Sequence, residues 1–246
     1  MTNLFIRGVR LKEAGDSYVF SLPAVKQAER LSFTKPVTFL VGENGTGKST
    51  LLEAIAVNYG FNPEGGSRDF NFSTADTHSG LADSITVVKG VGRPRDGFFL
   101  RAESFYNVAT EVENLAKQTP WQEKDFYNNY GGASLHRQSH GESFLSLVLH
   151  RFRGGGLYFL DEPEAALSPT RQMSLLARIH QLVRASSQFV VATHSPILMA
   201  YPNADIFLLS EEGIRRVPYR ETEHYAVTKL FLENPERMLA ELLDDQ

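Results

Sequence analysis

The residues Gly42-Glu43-Asn44-Gly45-Thr46-Gly47-Lys48-Ser49 hold the densest chemical signal in the chain. Gly42, Gly45 and Gly47 free the backbone to fold its N–H groups around phosphate oxygens, and Lys48 adds a point charge for the β and γ phosphates of a nucleotide. The Ser49 hydroxyl, with Thr50 beside it, is a hard oxygen ligand of the kind Mg2+ prefers. This spacing, G-x-x-x-x-G-K-[ST], binds phosphate where a strand enters it and a helix leaves it. Without that context the same letters are a glycine turn with an exposed lysine.

Two further sites follow apolar runs. Leu157-Tyr158-Phe159-Leu160 ends in Asp161-Glu162, and a turn there would let Asp161 reach a metal while Glu162 faces an attacking water. Taken alone, the pair is equally an acidic turn after a buried strand. Val190-Val191-Ala192-Thr193 ends in His194, which is either a hydrogen-bonded structural residue or a ligand contact at the strand-end edge where α/β sheets bind.

The elements needed to position these groups are readable from periodicity. Short apolar runs at Leu4–Val9, Tyr18–Leu22 and Val37–Val41 predict strands, and Leu51, Leu52, Ile55 and Ala56 predict a helix that Gly60 ends. The Gly42–Ser49 loop therefore has the strand-loop-helix setting it requires. Residues 61–80 are expected to be a long loop, Ile85–Val88 and Phe98–Leu100 strands, and Glu103–Lys117 a helix. Gln118–Leu135 is polar and turn-rich and holds the sole tryptophan, Trp121. A helical stripe of Phe144, Leu145, Val148, Leu149 and Phe152 then leads to the strand Leu157–Leu160. Ser168 and Pro169 cap a helix whose apolar face is Leu175, Leu176, Ile179, Leu182 and Val183, and Phe189–Ala192 and Ile206–Leu209 are strands. This alternation predicts an α/β fold around a mostly parallel sheet.

Composition narrows the function. The 246 residues are 42% hydrophobic and 22% charged, which fits a globular core and excludes disordered or coiled-coil usage. With 25 Lys and Arg against 29 Asp and Glu, the net charge of -4 lacks the basic excess of a chain that coats nucleic acid. Lys89, Arg93, Arg95 and Arg101, with Phe98 and Phe99 among them, are a solvated face or a local nucleic-acid contact. The absence of cysteine excludes disulfides, thiolate metal sites and a cysteine nucleophile. Arg7 and Arg10 interrupt any secretory apolar core, and the apolar runs are far short of the ~20 residues of a spanning helix, so a cytoplasmic protein is expected.

In order, Gly42–Ser49, Ser139-His140-Gly141-Glu142, Asp161-Glu162-Pro163 and His194 resemble the Walker A, signature, Walker B and switch-histidine motifs of the ABC-type ATPases. Phe99-Leu100-Arg101-Ala102-Glu103-Ser104 and Ala192-Thr193-His194-Ser195-Pro196 look closest to stand-alone AAA family ATPases of the SMC and RecF branch. The resemblance implies a P-loop NTPase of ABC-ATPase type, with a mostly parallel central sheet, an N-terminal antiparallel β subdomain and a small helical lobe. It implies a single domain over residues 1–246, the core lobe being 1–60 and 155–246 and the inserted lobe 61–154. Gly42, Asn44, Gly45, Thr46, Gly47, Lys48, Ser49 and Thr50 would bind ATP, Ser49 and Asp161 would hold Mg2+, and Glu162 would polarise water. His194 would sense the γ phosphate, and Ala165-Ala166-Leu167-Ser168 would form the D-loop. Ser139 and Gly141 would cap the nucleotide of a second copy in a head-to-tail, ATP-sandwiched homodimer coupled to DNA or to a partner protein.

The chain departs from the transporter branch of that family. Its signature reads Gln138-Ser139-His140-Gly141-Glu142, and Glu103 stands in the region of the Q-loop glutamine. The alternative, a nucleotide-binding subunit of a transporter, requires a separate membrane chain. A small-molecule kinase fits less well, because the Asp-Glu pair and His194 suit activation of water. Tyr18 and Phe20 are candidates to stack on adenine and equally candidates for the core.

Overall fold

The computed structural model describes residues 4–12, 17–67, 80–103, 105–118 and 139–243. In chain order the strands are β1 (Ile6–Leu11), β2 (Val37–Val41), β3 (Gly66–Ser67), β4 (Ile85–Lys89), β5 (Asp96–Arg101), β6 (Gly156–Asp161), β7 (Gln188–Ala192), β8 (Asp205–Ser210) and β9 (Gly213–Arg216). The α-helices are α1 (Pro23–Lys26), α2 (Lys48–Tyr59), α3 (Leu81–Ser84), α4 (Phe105–Gln118), α5 (His140–Arg151), α6 (Pro169–Arg184), α7 (Pro196–Met199), α8 (Glu223–Glu233) and α9 (Pro235–Leu243).

Seven strands form one sheet in the order β3-β5-β6-β7-β2-β8-β9. The run from β5 to β8 is parallel throughout, and β3 and β9 close its edges antiparallel. A second sheet pairs β1 with β4 antiparallel. The fold is therefore the expected α/β arrangement, with a mostly parallel centre and a separate antiparallel element.

Alternation along the central strands makes two cores. Leu40, Phe159 and Val190 face one side, where they join Leu51, Leu52 and Ile55 of α2. Phe39, Tyr158 and Phe189 face the other side, with Phe105 of α4, Phe144 of α5 and Leu175 of α6. Because β2, β6 and β7 are buried on both faces, they read in sequence as continuous apolar runs. Among the described residues no helix is long and apolar enough to cross a membrane.

Some expected elements differ. Tyr18–Ser21 is a 3-10 turn rather than a strand: consecutive Val19 and Phe20 are both buried, and Pro23 begins α1 directly after it. The first strand starts at Ile6 rather than Leu4, and Gln188 Oε1 accepts from the N–H groups of Phe5 at 2.8 Å and Ile6 at 3.0 Å at its entrance. Within 61–80, Gly66–Ser67 pairs with β5. Leu149 of the α5 stripe is 39% exposed. Trp121 and Gln138 lie outside the described residues.

Candidate active site

The phosphate loop hangs from β2 and runs into α2, the setting its motif requires. Gly42, Gly45 and Gly47 all have positive φ, at 143°, 82° and 95°. At Gly42 a Cβ would also lie 2.1 Å from the Leu209 carbonyl oxygen of β8. Thr46 Oγ1 and Lys48 Nζ both donate to the Glu43 carbonyl, at 2.8 and 2.9 Å, so the loop curls over its own lysine. Burial lowers the Lys48 ammonium below its ordinary pKa, against the opposing pull of Glu162 and Asp161.

The sheet order sets β6, β7 and β2 side by side, which gathers their carboxyl ends. Ser49 Oγ at the start of α2 donates to Asp161 Oδ1 at the end of β6 over 2.8 Å. Both candidate Mg2+ ligands are therefore in direct contact, and oxygen donors with one carboxylate suit an ion that also takes phosphate oxygens and water. Burial pushes Asp161 up to about 6, with the Ser49 hydrogen bond and Arg101 opposing.

Glu162 adopts left-handed backbone, φ 47° and ψ 50°, at the head of the 3-10 turn Pro163–Ala166. That turn bends the chain off the strand. Its carboxylate Oε1 lies 3.6 Å from His194 Nε2, and its N–H donates to Ala192 O of β7 at 3.0 Å. The loop carrying His194 is pinned on both sides, by Thr193 N–H to Leu40 O at 3.1 Å and by Ser195 Oγ to Gln172 at 2.6 Å. Beside the phosphate loop a cavity of about 510 Å3 is lined by Leu22, Pro23, Asn44, Leu209 and His224 among others.

Two family models match in succession: "AAA domain" over residues 18–126 and "AAA domain, putative AbiEii toxin, Type IV TA system" over residues 126–200. They meet on a chain whose loop, Asp-Glu pair and histidine converge. The chain carries an AAA-type P-loop ATPase domain. Among curated proteins, it is 24% identical over 191 residues to the macrolide export ATP-binding/permease protein MacB of Neisseria meningitidis serogroup A. That match covers 71% of this chain and 29% of MacB. It is 28% identical over 200 residues to the "Putative ABC transporter ATP-binding protein SCO5958" of Streptomyces coelicolor, covering 74% and 67% of the two. The solved structure of cbiO1 from Clostridium perfringens, part of the ABC transporter complex cbiONQ, is 16% identical with a TM-score of 0.47, covering 98% and 100%.

Within the ATPase, Lys48, Ser49, Asp161, Glu162 and His194 come together at one sheet edge. Ser139 and Gly141 do not join them. Ser139 is exposed at the N-terminus of α5 and hydrogen-bonds Glu142, while Gly141 packs so closely that a Cβ would meet Ala166 O at 2.4 Å. Tyr18 is 75% exposed and Phe20 sits in the core, and neither lines the cavity beside the loop. Arg101 turns inward from the basic stretch to Glu53 at 2.8 Å and Asp161 at 3.7 Å, while Glu103 stays exposed.

Two residues of the site carry no motif. Glu164, its carboxyl raised by burial, accepts the backbone N–H of His194; the Asp-Glu-Pro-Glu run was its only signal. His224, near the start of α8, reaches His194 with ring nitrogens 3.0 Å apart, and nothing in its local sequence marks it.

Proposed function

We propose that this ATPase hydrolyses ATP, held with Mg2+, in a site that a second copy of the chain completes. The observation that carries the reading is the 2.8 Å bond from Ser49 to Asp161 with Glu162 and His194 beside it, in a chain whose Ser139 faces solvent. Residues 1–246 act as one ATPase domain, with a core lobe of 1–60 and 155–246 and an inserted lobe of 61–154.

Lys48 and the N–H groups of Gly45, Thr46 and Gly47 hold the β and γ phosphates, in the company of Gly42, Asn44 and Thr50. Ser49 and Asp161 hold Mg2+, which neutralises charge on the phosphate oxygens when bound. Glu162 accepts a proton from water as the water oxygen bonds to the γ phosphorus, and the bond to the β–γ bridging oxygen breaks to leave ADP. His194 directs its Nε2 at the γ phosphate. Ser139 and Gly141 of the second copy close the site, so ATP joins the two chains.

The test uses Glu162→Gln, which retains shape and loses the base. With Mg2+ and ATP its mass by light scattering should double, and adding Ser139→Arg should return it to monomer with nucleotide still bound. A monomeric Glu162→Gln protein, or a double variant that still dimerises, overturns the sandwich.

The net charge of -4 and the inward turn of Arg101 weigh against a broad basic face, so the output of dimer closure is best read as passing to a partner protein or a local DNA contact in the cytoplasm. A second reading, a transporter's nucleotide-binding subunit, rests on relatives whose names are those of transporter ATP-binding proteins. Co-purification with an integral membrane chain would favour it, and an ATPase rate raised by DNA would favour the first.

A further inference from the structure

His194 Nδ1 and His224 Nε2 lie 3.0 Å apart, with ring centroids 5.1 Å apart and planes inclined at 59°. Burial lowers the pKa of both rings, with Lys48 adding to it for each, which favours their neutral forms, and across a 3.0 Å contact between ring nitrogens one of the two must donate. Two observations choose the donor. If His194 donated from Nδ1, its bare Nε2 would face the Glu162 carboxylate at 3.6 Å, acceptor against acceptor. His224 would then carry its own proton on Nδ1, which is buried and has no hydrogen-bond partner among the described residues. A buried orphan N–H is rarer than a bare acceptor. The reverse arrangement removes the acceptor pair: His224 Nε2–H donates, and His194 carries its proton on Nε2. That nitrogen likewise has no hydrogen-bond partner among the described residues but turns its N–H toward the Glu162 carboxylate at 3.6 Å, leaving His224 Nδ1 as the bare acceptor.

The ring of His224 is held for this. Thr222, fully buried, caps α8 by accepting from Tyr225 N–H at 3.4 Å, which fixes His224 in the first turn. Tyr219 Oη donates to Pro196 O at 2.9 Å, tying the same segment to the loop that carries His194.

We infer that His224 is a positioning residue, supplied from outside the recognised motifs, that sets the proton of His194 on Nε2 and keeps that N–H aimed at the reacting end of the site. This rests on the reading of His194 as the γ-phosphate contact. The tautomer itself is tested apart from that reading. Long-range proton–nitrogen spectra of the full chain with ring-labelled histidine should give His194 a bare Nδ1 and a protonated Nε2, and His224→Ala should mix the two tautomers. A proton on His194 Nδ1 in the unmodified protein, or spectra unchanged by His224→Ala, overturns the inference.

Single-turnover hydrolysis supplies the kinetic arm. His224→Ala should slow the step by about tenfold to a hundredfold with ATP affinity unchanged, as misalignment of a reacting group does. His224→Gln, whose amide N–H takes the place of Nε2–H, should recover most of the rate. Joining His224→Ala to His194→Ala should slow the reaction no further than His194→Ala alone. Fully multiplicative losses overturn the inference, whereas a His194→Ala protein with unchanged rate overturns the γ-phosphate reading and leaves the tautomer to the spectra.

Discussion

Burial holds the Asp161 carboxyl up to about 6, although the Ser49 hydroxyl and Arg101 guanidinium both favour its charged form. Its ordinary value is 3.8, so the folded protein binds this proton more tightly than the unfolded chain does. The stability linked to it is fully present below 3.8 and is lost as pH rises through about 6. Above that the ionised carboxylate costs roughly 3 kcal/mol in the metal-free protein. Asp161→Asn should therefore raise the unfolding free energy at pH 7.5 by about 1–3 kcal/mol, while Mg2+-dependent hydrolysis is nearly lost. Urea melts in chelator across a pH series check this: the gap between the two proteins should close towards pH 4, and a less stable asparagine protein at pH 7.5 would contradict it. The convergence of Lys48, Ser49, Asp161 and Glu162 was legible because adjacent letters mark the loop and the strand end that carry them. Glu164 and His224 were not, since each gains its role only by meeting His194, 30 residues away in either direction.

At the scale of elements, the start of α5 is seated on the turn that follows Glu162. Gly141 leaves no room for a Cβ, which would meet Ala166 O at 2.4 Å and Arg171 Nη1 at 2.8 Å, and Glu142 pairs with Arg171 of α6 at 3.1 Å. Arg171 is a flexible side chain and can yield; the Ala166 carbonyl is backbone and cannot without moving the turn. Gly141→Ala should cost about 1–3 kcal/mol in a urea melt and should weaken ATP-induced dimerisation of Glu162→Gln, with nucleotide binding by the monomer retained. Unchanged stability together with unchanged dimerisation would rule out a tight seat. The parallel strands were readable because burial on both faces leaves unbroken apolar runs. Tyr18–Leu22 misled for the same reason, since an apolar run that buries Val19 and Phe20 against α1 looks like a strand until its backbone partners are known. Strand order, which seats β2 beside β7 and β8, depends on long-range pairing that no local period encodes.

For the molecule as a whole, both cores are built without the last two helices. No residue of α8 or α9 is buried, and Val227, Leu230, Leu232, Leu242 and Leu243 are each exposed by 51% or more. Ending the chain after Thr222 should therefore leave a cooperatively folded protein with an intact near-ultraviolet dichroism spectrum and a melting temperature lower by only about 2–4 °C. Single-turnover hydrolysis should fall with it, because His224 leaves. Loss of cooperative melting would mean that the helices hold up the fold as well as the histidine. The α/β class and the ATPase chemistry were visible in composition, alternation and motif order. The meeting of His224 with His194 was not, because it is made by packing between distant segments that no local pattern encodes.

The left-handed backbone at Glu162 bears on inheritance as well as on catalysis. Either glutamate codon becomes a glycine codon by one base change, and glycine is the residue this conformation suits, by roughly 1 kcal/mol over one with a Cβ. Such a lesion would escape quality control that recognises only unfolded chains. In the dimer proposed above, such a chain would be sturdier yet would clasp its nucleotide and its second copy without releasing either, and one altered allele would then poison assemblies built with the intact product.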